Sequence, residues 1–191
     1  MSWLEIPRKI SRMTRLLAAF VLAGLTAGCF QPLYGDRASV GGGGNTGISD
    51  KLSTVDVRPI VAPNGSPLAR VGVQVRNELI YGLTGGGPPG TPNYQLEVRL
   101  TSHNVDVIVD IHTSRPDIQE VGVDASYTLT DITSGKKVVN GTTFSRVSYN
   151  IPGQEQRFAG ARGRRDAENR AATVIAESIK NRLASYFVAG T

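Results

Sequence analysis

Leu25-Thr26-Ala27-Gly28-Cys29 contains the only cysteine in the chain. A lone thiol closes no internal disulfide and completes no cysteine-based metal site, so whatever folds after it is held by its own apolar core. The residues before it constrain the chain further. Arg8, Lys9, Arg12 and Arg15 make a positive n-region, and Leu16 to Leu25 make an apolar h-region ending in small residues. This is the layout of a secretory signal peptide that ends at a lipoprotein processing site. A helix over the apolar run reaches only ~15 Å, about half of the ~30 Å hydrocarbon core, so it reads as a cleaved leader and not a membrane span. The expected organisation is a leader over residues 1–28, a tether over 29–52 that opens at a lipidated Cys29, and one folded domain over 53–188. Phe30 follows the cysteine where Asp is associated with inner-membrane retention, so outer-membrane residence on the periplasmic side is expected, with palmitate among the acyl chains.

The leader also distorts the charge balance. The chain carries a net +5, but the leader sets its basic residues against Glu5 alone, so most of that charge leaves with it. The remaining chain is near neutral and poor in aromatics, which argues against a nucleic-acid partner. Gly41-Gly42-Gly43-Gly44 and its polar surroundings offer little apolar surface to offset ordering entropy. As a flexible tether, residues 30–52 would span roughly 25 Å.

Beyond the tether the hydrophobic pattern alternates between two periods. Thr54 to Val61 alternates as a strand. Pro63-Asn64-Gly65 is a turn, and Ser66-Pro67 supplies an N-cap followed by a first-turn proline. Leu68, Val71, Val75, Leu79 and Leu83 then recur at helical spacing until Gly85-Gly86-Gly87-Pro88. Tyr94, Leu96, Val98 and Leu100 alternate with polar residues, and the alternation changes parity at Val105, Val107, Val109 and Ile111. The change of parity predicts a bulge or break near Ser102 to Asn104. Val121 to Leu129 is the clearest strand. Thr133-Ser134-Gly135-Lys136 is a hairpin turn into a last strand over Lys137 to Tyr149. Gln154 to Phe187 is helical, with Ala171, Ile175, Ile179, Leu183 and Phe187 on one stripe, and with Asp166 and Glu168, near the start of its well-patterned part, suiting the helix dipole. The order β-α-β-β-β-α predicts an α+β fold in which two helices pack on one face of a four-stranded, mainly antiparallel sheet. Val75, Leu79, Leu96, Val98, Val123, Tyr127, Ile175, Ile179 and Leu183 are its expected core.

Gly28-Cys29-Phe30-Gln31-Pro32-Leu33-Tyr34-Gly35 resembles the start of the mature lipopolysaccharide-assembly lipoproteins of the LptE family. Arg165-Asp166-Ala167-Glu168-Asn169-Arg170-Ala171-Ala172, continuing to Arg182-Leu183-Ala184-Ser185-Tyr186-Phe187, is similar to the alphaproteobacterial branch of that family. The resemblance covers nearly all of residues 29 to 188. It implies an outer-membrane lipoprotein that plugs an LptD-like β-barrel translocon, supports lipopolysaccharide transport to the cell surface, and can bind lipopolysaccharide. An auxiliary lipoprotein of an envelope lipid-trafficking ABC system is the alternative.

Catalysis finds no support in the residues. His103 and His112 lie in extended segments with Asp106 and Asp110 between them, a spacing that suits no usual metal motif. No nucleophile-base signature is present, and Gly82-Leu83-Thr84-Gly85-Gly86-Gly87 lacks the lysine of a phosphate loop. The expectation is a non-enzymatic protein without metal or cofactor. The basic residues are the candidate contacts to lipid phosphates or acidic barrel-wall residues. Arg157, Arg162, Arg164 and Arg165 form a stretch free of acids at the entry to the last helix, joined by Arg99 and by Lys136 and Lys137 at the hairpin tip.

Overall fold

The computed structural model describes residues 47–110, 115–151 and 157–189. The leader, Cys29, most of the tether, Ile111, His112 and the first residues of the expected last helix (154–156) lie outside the described residues.

The chain enters the fold through a short helix, α1 (Ile48–Ser53), which buries Leu52. Folded structure therefore starts a few residues ahead of Ser53. Strand β1 follows (Val55–Val57), then α2 (Pro67–Thr84), β2 (Tyr94–Asp110), β3 (Arg115–Asp131), β4 (Lys137–Asn150) and α3 (Arg157–Ala189). The sheet order is β1-β2-β3-β4. β1 runs parallel to β2, and the other two pairs are antiparallel, so the sheet is mixed. β1 is shorter than the alternation over 54–61 implies. Pro59 brings no N–H to the ladder, and pairing stops beside it.

Helix α2 forms as its sequence dictates. Ser66 Oγ accepts from the Ala69 N–H at 3.2 Å, Pro67 occupies the first turn, and Gly85 closes the helix at φ 63°, a conformation that disfavours a side chain. Val71, Val75, Leu79 and Leu83 point inward. On α3, Ala171, Ile175, Ile179 and Leu183 do the same, and the smaller Ala167, Ala172, Ala176 and Ala184 let α3 approach α2 and the sheet closely. All nine expected core residues, from Val75 to Leu183, are buried. α2 packs on β1, β2 and α3, while α3 covers β3 and β4.

Register corrects one expectation. β2 and β3 pair without interruption from Tyr94 to Asp106, and the irregularity lies between Asp106 and Val109, not at Ser102 to Asn104. The parity change is a change of face. Leu96, Val98 and Leu100 face the helices, whereas Val105 lies in the row of Glu97, Arg99, Thr101 and His103 on the outer side and is 47% exposed. Beyond Leu100 the side of β2 that faces the helix layer carries Ser102, Asn104 and Asp106 instead.

Candidate functional site

The candidate basic residues fall on two separate regions, one at the start of α3 and one on the outer face of the sheet.

At the first region, Gly163 of α3 lies against Tyr149 and the Asn150 carbonyl at the end of β4. Arg162, Arg164 and Arg165 enter this corner, and Arg157 is the first residue of the helix, although its side chain lies outside the described residues. Arg164 is not a free cation. Its Nε donates to Glu168 Oε1 at 3.0 Å, and its Nη2 donates to the Asn104 side-chain oxygen at 3.2 Å with that amide turned to suit. Arg70 reaches over from α2 to the other carboxylate oxygen of Glu168 and donates to Asn169 Oδ1 at 2.9 Å. Glu168 is only 4% exposed. The expectation that Glu168 serves the helix dipole is therefore corrected: α3 begins at Arg157, well before it, and the carboxylate is a buried acceptor between two helices. Burial lowers the Arg70 guanidinium below its ordinary range, and the positive charges of Arg165 and Arg164 add to the effect.

A polar chain continues onto the sheet. Tyr149 Oη donates to Gln119 Oε1 at 2.7 Å, and Gln119 Nε2 donates to Asp106 Oδ1 at 2.6 Å. Burial pushes the Tyr149 phenol up, opposed by Arg164 and reinforced by Asp106. Arg170 is tied to Asp166 at 2.8 Å. Arg162 and Arg165 have no ion-pair partner among the described residues, so they carry the positive potential of this corner.

The second region is the outer face of the sheet. Arg99 donates to Glu97 at 2.8 Å, and both line a shallow depression with Ser126, Thr128, Thr130 and Lys137. Lys136 stands beside it in the β3–β4 turn, where its carbonyl accepts from the Asp131 N–H at 2.9 Å. A neighbouring hollow is walled by Arg99, Thr101, Asp124 and Phe144. Phe144 is 67% exposed and has the Arg146 guanidinium 5.2 Å over its ring, while Arg146 pairs with Asp124 at 2.9 Å. Lys137 and Tyr149 sit at opposite ends of β4, roughly 40 Å apart at strand rise. The structure thus groups Arg99, Lys136 and Lys137 and groups Arg162, Arg164 and Arg165, but does not bring the two groups together.

His103 is an exposed strand histidine. Its ring lies over Gly122 on β3, where a Cβ would collide with it, and its Nδ1 is 3.5 Å from Asp124 Oδ2. No cluster of metal-ligating side chains exists among the described residues. Sequence reading passed over a third feature. Tyr94, Tyr186 and Phe187 pack edge-on, with ring centres 5.1 and 5.3 Å apart, and with Asp50, Lys51, Thr54 and Asn93 they line a groove of about 420 Å³. Its residues come from α1, the link from α1 to β1, the loop before β2, β2 itself and the end of α3, and no local spacing announces such a meeting.

Comparison with known proteins places this geometry. The structure is similar to a protein of Caulobacter crescentus CB15 described as a candidate lipoprotein, with 23% identity over 75% of this chain and 97% of that one, at a TM-score of 0.56. A minor lipoprotein from Acinetobacter baumannii matches 69% of this chain and 90% of its own at 12% identity and a TM-score of 0.47. The curated protein sequences gave no match. The first likeness shares the fold. The model of the LptE family, described as lipopolysaccharide-assembly, matches residues 52–183, from the end of α1 to the buried Leu183 of α3. The chain belongs to the LptE family of lipopolysaccharide-assembly proteins.

Proposed function

We propose that this protein acts in lipopolysaccharide assembly as an outer-membrane lipoprotein, acylated at Cys29 on the periplasmic side, whose domain docks as a stoichiometric plug inside an LptD-like β-barrel translocon. The family match over residues 52–183 carries this reading, because it spans α2, all four strands and most of α3. The family is one of non-enzymatic assembly proteins, and its members work with the lipopolysaccharide transport machinery. Among the described residues no helix is long and apolar enough to cross a membrane. A lipid chain is then the natural anchor, since each buried CH₂ contributes about 0.8 kcal/mol.

The surface suits a polar lumen. Large barrels have polar interiors, and a plug needs charged and hydroxyl-bearing faces more than an apolar patch. The outer sheet face offers Arg99, Thr101, Thr128, Thr142 and Lys137. Arg162 and Arg165 at the α3 corner are the candidate contacts to acidic barrel residues or lipid phosphates, with Arg157 beside them in sequence, whereas Arg164 has its guanidinium committed to Glu168. Affinity purification of the full chain from detergent-solubilised membranes tests the proposal. An equimolar outer-membrane barrel should be retained. Purification without any barrel contradicts it.

A further inference from the structure

Among the described residues, one edge of the sheet is largely unpaired. β1 covers β2 only from Tyr94 to Leu96. The Tyr94 N–H donates to the Thr54 carbonyl at 3.3 Å, and the Leu96 carbonyl accepts from the Arg58 N–H at 3.0 Å, so even-numbered residues of β2 direct their backbone groups toward this edge. Because direction alternates along a strand, Leu100, Ser102 and Asn104 aim N–H and C=O outward, while odd-numbered residues serve the ladder to β3. Among the described residues nothing pairs with this stretch. Side chains from Thr101 to Val107 are exposed on both faces, with Val105 at 47% and Val107 at 51%. From Leu100 to Val105 the strand holds no proline, lysine, arginine or carboxylate, the usual devices that blunt an edge, and Asp106 and the bulge come only at the end of this stretch. The other edge is better guarded: β4 opens with Lys137, and the Ser148 carbonyl accepts from Arg170 Nη2 at 3.5 Å.

We infer that the Leu100–Asp106 edge of β2 is a strand-addition site, filled by an extended segment of the partner barrel. The inference rests on the docking reading above and names the surface that docks. A backbone edge selects an extended backbone, since only that supplies matching donors and acceptors. A second copy of this chain fits poorly. In antiparallel registers centred from residue 101 to 104, Val105 falls opposite Glu97, Arg99, Thr101 or His103. The register that stacks Val105 on Val105 drives each copy's bulge into the other strand. The outer row is polar at one end and apolar at the other, so it suits a foreign strand with the complementary gradient. The wall of a closed barrel has no free edge to offer, so the pairing segment comes from one of its loops or from a terminus.

Amide exchange on the full acylated chain, alone in detergent and in complex with the LptD-like barrel, tests this. The Leu100, Ser102 and Asn104 amides should exchange quickly in the free protein and slow by roughly tenfold or more in the complex. Thr101 and His103 should be protected in both. Ser102→Pro removes one outward donor and spares the ladder to β3; it should lower barrel capture several-fold, while Ser102→Ala retains it. Should the proline variant misfold, Val105→Lys should give the same loss through a charge placed on the edge row. Equal exchange at Leu100, Ser102 and Asn104 in free and bound protein overturns the proposal, and so does wild-type capture by a folded Ser102→Pro; either leaves the docking reading standing. Edge amides already slow without barrel identify a different occupant and also overturn it. Failure of the wild type to capture any barrel removes the docking reading and this inference with it.

Discussion

Arg70 on α2 and Arg164 on α3 share the carboxylate of Glu168, one guanidinium on each oxygen. The carboxylate is buried and the guanidinia are more exposed, so Glu168 gives up most hydration and depends on both partners. The Arg70–Glu168 pair adds a charged tie between α2 and α3 beside their apolar contact.

Removing either partner should destabilise the domain unequally. Glu168→Gln should cost about 1–3 kcal/mol, because two arginines then face a neutral amide. Arg70→Ala should cost less, since Arg164 still neutralises Glu168 and Arg70 is partly exposed. Urea unfolding of the two single variants and of the double variant Arg70→Ala/Glu168→Gln checks the coupling, which should be non-additive. Strict additivity would show that the two groups do not depend on each other.

The core makes a sharper demand. Ile179 is fully buried on the inward stripe of α3, so Ile179→Ala should cost ~2–5 kcal/mol and lower Tm by roughly 5–15 °C. An unchanged Tm would mean that α3 is not docked as described.

Alkaline pH should unfold the domain by way of its tyrosines. Burial raises the phenols of Tyr127, Tyr149 and Tyr94 above the ordinary 10.0. A group whose pKa is raised in the fold contributes stability that is intact below the unfolded value and is lost as pH climbs through the folded one. Urea midpoints should therefore hold up to about pH 10 and fall above it. Tyr149→Phe should flatten that fall, even though it forfeits the bond to Gln119.

Periodicity was enough to read α2 and the buried stripe of α3, and turn chemistry to read the β3–β4 hairpin, because each is written in consecutive residues. Ser66-Pro67 and Thr133-Ser134-Gly135-Lys136 act locally, and both ended up where their chemistry puts them. The long reach of β2 was misread, since a switch of apolar parity looks the same whether the strand bulges or the helix layer stops covering it. Glu168 was misread for a related reason: three residues of helix cannot show that Arg70, ninety-eight positions away, arrives on its carboxylate. The groove at Tyr94, Tyr186 and Phe187 is likewise a product of tertiary meeting.

Lipidation is the next expectation. Radiolabelled palmitate should enter the wild-type chain and not Cys29→Ala, and the variant should leave the membrane fraction. Equal labelling of both would exclude Cys29 as the acylated residue.

Docking of this domain inside a barrel, as proposed, is open to direct measurement. Photo-crosslinking residues placed in living cells at Thr128 and Phe144 on the outer sheet face, and at Arg162 and Arg165 on the α3 corner, measure it directly. Crosslinks from both surfaces to one outer-membrane barrel, with less correctly assembled barrel and greater sensitivity to hydrophobic antibiotics on depletion, are the predicted result. Crosslinks only to soluble periplasmic proteins, with barrel levels unchanged on depletion, would contradict it.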